Sequence, residues 1–101
     1  MKIISLEEIK QNARIEDSTE DSLISEMGEA AEQTVFNISE RDYDELVDLY
    51  GSVPADIKRV CLMIATHFYE NRSVTNPTAL YNVPYTADMI LKPYINFNRH
   101  V

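Results

Sequence analysis

The stretch Val53-Pro54-Ala55-Asp56-Ile57-Lys58-Arg59-Val60-Cys61-Leu62-Met63-Ile64-Ala65-Thr66-His67-Phe68-Tyr69-Glu70-Asn71-Arg72 decides the fold. Pro54 suits the first turn of a helix, where its missing N–H costs nothing. Ile57, Val60, Cys61, Ile64, Ala65 and Phe68 then recur at three- and four-residue steps and form one apolar stripe, the expected core of a central helix. Leu62, Met63 and Tyr69 carry the apolar surface further round the cylinder. A helix apolar on nearly every side is either central to a core or shared with a neighbouring subunit. Spanning about 19 residues at 1.5 Å each, it makes a rod of roughly 28 Å, enough to cross a small domain.

Outward from this helix, the remaining segments read as shorter helices. Ser5-Leu6-Glu7-Glu8 is a capping-box pattern and predicts a first helix over residues 6 to 12. Asp17-Ser18-Thr19-Glu20 is the next start signal, with acids where a helix N-terminus favours them. Behind it Leu23, Ile24, Met27, Ala30, Ala31, Thr34 and Val35 form an apolar face, and Glu26, Glu29, Glu32 and Gln33 fill the opposite one. Ser39-Glu40-Arg41-Asp42 repeats the capping pattern before Tyr43, Leu46, Val47, Leu49 and Tyr50, and Gly51 closes that helix. Residues 71 to 83 read as a loop, Pro84 restarts a helix and Pro93 stops it. The expected fold is all-α, a compact bundle of about five helices around one long buried central helix at about 54–72, in a single domain over residues 1–101.

Composition narrows the function. Seventeen acidic residues against nine basic give a net charge of −8. The imbalance is uneven: residues 1–56 hold 15 acids and four bases, net −11, while residues 57–101 hold two acids and five bases, net +3. An acidic front half argues against gripping phosphate by counterion release. It suits a surface that repels DNA, or an acidic face that meets a basic one on another copy, beside the plainer role of a solubilising exterior. Cys61 is the one cysteine and sits mid-stripe, so it reads as a buried structural thiol in a reducing interior. The N-terminal residues turn polar after Ile4, so no signal peptide is expected, and no apolar run is long enough for a membrane span.

No chemistry emerges from the motifs. His67 and Glu70 share a helical face, but no second His or Cys cluster completes a metal shell. Two glycines cannot build a phosphate loop, and Cys61 has no electropositive partner to activate it. No catalytic residue, metal, cofactor or small-molecule substrate is expected. The six tyrosines, with no tryptophan, are more informative. Tyr69 reads as core; for Tyr81, Tyr85 and Tyr94 a wet-edged interface role and a core role both stay open.

Taken together, the order of these elements resembles the head–tail connector family of tailed phages. The resemblance is carried by Ser5-Leu6-Glu7-Glu8-Ile9-Lys10, Glu20-Asp21-Ser22-Leu23-Ile24, Ala30-Ala31, Val53-Pro54-Ala55-Asp56-Ile57-Lys58, Val83-Pro84 and Leu91-Lys92-Pro93-Tyr94. Its most specific piece is His67-Phe68-Tyr69-Glu70-Asn71-Arg72. Where family members commonly place a Gly-containing turn late in the second helix, this chain has Val35-Phe36-Asn37-Ile38. The resemblance implies a structural virion subunit, made in a bacterial host cytoplasm from a phage or prophage gene. It implies a homo-oligomeric ring of about a dozen copies between portal and tail. Portal and tail-completion proteins would be its partners, and DNA would pass through the lumen as cargo only. Loop and C-terminal contacts of such a ring would fall on Tyr81, Tyr85, Tyr94, Phe97 and Arg99. The alternative is a non-viral helical adaptor that binds one protein through residues 94–101.

Overall fold

The computed structural model describes residues 1–71 and 85–95, apart from the side chains of Tyr85, Thr86 and Asp88. Helix starts follow local side-chain chemistry. Ser5 caps α1 (Leu6–Ala13) in a complete capping box: its hydroxyl accepts from the Glu8 N–H at 3.2 Å, and the Glu8 carboxylate accepts from the Ser5 N–H at 3.0 Å. The second helix, α2 (Asp21–Ser39), starts after Glu20, which makes no side-chain cap bond. Asp17 instead closes a small turn ahead of it by accepting from the Thr19 N–H at 3.2 Å.

Helix α2 runs unbroken through Val35-Phe36-Asn37-Ile38 and closes on Glu40 in the left-handed region, at φ 55°. Ser39 is therefore no N-cap. It is the last residue of α2, buried, with its hydroxyl donating back to the Val35 carbonyl at 2.8 Å. The cap of α3 (Tyr43–Tyr50) is Asp42, whose carboxylate accepts from the Glu45 N–H at 2.8 Å. Gly51 follows at φ 80°, a conformation glycine adopts without strain.

Helix α4 (Ala55–Glu70) is the centre of the bundle, with α1, α2 and α5 (Tyr85–Leu91) packed against it. At 16 residues it is shorter than the 54–72 span expected from sequence, because Pro54 is its N-cap and Asn71, at φ −105° and ψ 11°, its C-cap. A 3-10 turn, Lys92–Tyr94, ends the described chain and carries Pro93. Five α-helices and no strand occur among the described residues, an all-α architecture. None of the described helices is long and apolar enough to cross a membrane.

Ile57, Val60, Cys61, Ile64, Ala65 and Phe68 face the core, with Ile9, Ile24, Ala31, Val35, Leu46, Ala87 and Leu91 supplied by the surrounding helices. Polar ties lock the helices in register: Lys10 with Asp21 at 2.9 Å, the Asn12 amide donating to Thr66 at 2.7 Å, and the Tyr69 hydroxyl donating to Glu20 at 3.0 Å. Burial, reinforced by the charge of Glu32, pushes the Cys61 thiol up to about 12. The reactive thiolate is thus scarce in the folded protein. Folded protein at pH 8 should resist a thiol-alkylating reagent that modifies the urea-unfolded chain completely; fast labelling of the folded form would place Cys61 outside the core.

One buried group was not legible as such. Glu32, expected on the polar face of α2, is 5% exposed. Residues 2–4 cross α2 there, and their backbone donors need acceptors. The Glu32 carboxylate accepts from the N–H groups of Lys2, Ile3 and Ile4, each at 2.9 Å. Ile3 and Ile4 are thereby held in the core. A buried carboxylate is tolerable where donors surround it in this way.

Candidate subunit interface

The stripe that α4 turns inward leaves an outward face built from Arg59, Leu62, Met63, Thr66 and Glu70, spaced at three and four residues. Together with Lys58, His67, Ala55 and Asn12 of α1, this face lines a groove of about 610 Å³. So α4 is not covered on every side: Leu62 and Met63 are half-buried and Arg59 is exposed. Lys58 is engaged by Glu8 at 2.6 Å, and their hydrogen bond holds the Glu8 carboxyl below its ordinary range. Arg59 makes no ion pair or side-chain hydrogen bond among the described residues. His67 has its Nδ1 3.3 Å from the Asn71 amide nitrogen, while its Nε2 is buried beside the groove with no hydrogen-bond partner among the described residues.

A second surface lies at the end of α3. Asp44, Asp48, Leu49 and Tyr50 are all exposed, Leu49 at 55% and Tyr50 at 45%. A leucine and a tyrosine so open, beside two carboxylates, form a small amphipathic patch. The Tyr50 ring meets the Tyr94 ring edge-to-face at 5.6 Å.

Tyr94 joins three parts of the chain. Its hydroxyl donates to the Asp56 carboxylate at 2.7 and 2.8 Å, its ring meets Tyr50, and its carbonyl accepts from Arg41 Nε at 2.8 Å. Chiefly because the phenol donates to Asp56, its pKa is pushed up to about 12 from the ordinary 10.0. The stability this bond supplies is full below pH 10.0 and fades as pH rises towards about 12. In a tyrosine absorbance titration, Tyr94→Phe should remove a phenol that ionises towards pH 12. Because the site is solvated, the same substitution should cost only about 0.5–1 kcal/mol.

Of the residues expected from sequence to make subunit contacts, Tyr94 is half-buried at this junction, and Tyr85 is the first residue of α5. Tyr81, Phe97 and Arg99 lie outside the described residues, as do residues 72 to 83 of the expected loop. Arg59, Leu62 and Met63 lie on one solvent-accessible surface and Asp48, Leu49 and Tyr50 on another. The spacing of Arg59, Leu62, Met63 and Thr66 marked a second face of α4, but its apolar members blend into the core stripe when read from sequence alone.

A model of a protein family described as phage gp6-like head-tail connector protein matches residues 3–94 of this chain. No curated protein and no solved structure matches it.

Proposed function

The chain belongs to the phage gp6-like head-tail connector family, and from that premise we propose that it forms a ring between the portal and the tail of a phage particle. The observation that carries this reading is the match over residues 3–94, which takes in all five described helices. The family is one of structural proteins of the virion, which act with other head and tail proteins. In the proposed ring, about a dozen copies meet head to tail and leave a lumen for DNA. The acidity of the chain supports that role, since a −11 charge over residues 1–56 gives DNA little to hold. Tyr81, Tyr85, Tyr94, Phe97 and Arg99 are proposed contacts to neighbouring copies or to the portal, on the family resemblance.

The test is genetic. A nonsense mutation in the gene, in a phage that carries it, should leave heads and tails unjoined in electron micrographs of the lysate. Adding the purified chain to such a lysate should restore infectious particles. Normal joined virions from the mutant would overturn the reading.

A further inference from the structure

We propose that copies of this chain join by seating the α3 end of one, with Asp48, Leu49 and Tyr50, in the α4 groove of the next, at Arg59, Leu62 and Met63. This rests on the connector reading and specifies the contact. Helix α3 contributes no residue to the groove lining, so the two surfaces are built from different residues. Each is incomplete in the same sense. The groove offers half-buried Leu62 and Met63 beside a guanidinium with no partner among the described residues, and the α3 end offers exposed Leu49 and Tyr50 beside an exposed carboxylate.

The charges choose the occupant. An acidic, aromatic-tipped helix end complements an apolar groove whose Arg59 has no partner among the described residues, while DNA would be repelled by the same helix end. Two different patches that fit each other make a heterologous contact, which leaves one of each open and propagates until rotation closes it. Tyr is favoured at such contacts for its rigid area, and Arg for its planar donors. The short connection from Tyr50 to Ala55 and the ring contact with Tyr94 hold the α3 end in place for docking.

Both key charges can be reversed without touching the core. Arg59 is exposed, and Asp48 lies in the last turn of α3, where a cation suits the helix dipole. Arg59→Glu and Asp48→Arg should each raise the dissociation constant of the oligomer by at least about tenfold at low salt, with unchanged circular dichroism. Mixing the two variants should restore assembly, because every contact in an alternating ring then pairs opposite charges. Sedimentation velocity reads all three samples. Wild-type assembly unaffected by either reversal, or variants whose mixture stays dissociated, would overturn the proposed contact while leaving the connector reading intact. A wild-type chain that never associates would also overturn it, and the joining of heads and tails in the nonsense mutant would then judge the connector reading separately.

Discussion

Glu32→Ala is expected to lower the unfolding free energy by about 3–4 kcal/mol, a large share of the roughly 5–15 kcal/mol available to a domain of this size. The reason is arithmetic on three donors. Lys2, Ile3 and Ile4 all give their N–H groups to one carboxylate, and two of those bonds are buried. Each buried donor left without an acceptor costs about 1–3 kcal/mol, and no other acceptor for these three is present among the described residues. The sum is capped because the segment can detach and hydrate. Detachment in turn exposes Ile3 and Ile4, so the cap is itself several kcal/mol. Glu32→Gln separates the parts. Its amide oxygen can still serve Ile3 and Ile4, while the amide nitrogen faces the Lys2 donor, so about 1–2 kcal/mol should be lost. Urea unfolding of the three proteins checks this ranking. An alanine variant within 0.5 kcal/mol of the wild type, on about the scale of a surface change, would mean that residues 2–4 do not dock on α2.

The second large effect separates the two faces of α4. Ile64 is fully buried at the middle of the stripe, so Ile64→Ala should cost about 3–4 kcal/mol through lost transfer energy and a cavity. Leu62 is two residues away but half-buried on the groove side. Leu62→Ala should cost the monomer only about 1 kcal/mol, in proportion to its smaller buried area, and should instead weaken association. Thermal melts at low concentration read the first quantity, and sedimentation the second. Equal melting losses for both variants would contradict the helix orientation described here.

Much of this architecture follows from signals carried by neighbouring residues. The Ser5 capping box, the α4 stripe and the glycine at the end of α3 are local, and each acts through bonds or contacts within one or two turns. The points that sequence missed are those fixed by tertiary partners. Glu32 reads as a surface carboxylate because its donors come from residues 2–4, about 30 positions away. Ser39 opens a capping pattern in the sequence, but α2 continues to Ser39 and Asp42 caps the next helix instead. The outward face of α4 was hidden for a different reason. Leu62 and Met63 are as apolar as the core residues beside them, and hydrophobic spacing does not state which flank a neighbouring helix leaves uncovered. Tyr94 was legible as an interface tyrosine or a core tyrosine; the structure shows a half-buried ring whose hydroxyl is already given to Asp56.

The central claim is that this connector-family chain builds a closed ring, and native mass spectrometry of the purified protein across concentration and salt tests it most directly. The account predicts a closed species of about a dozen copies that loses population as salt rises, since a charge pair contributes to each contact. A chain that remains monomeric throughout, or that stops at a stable dimer, would contradict it.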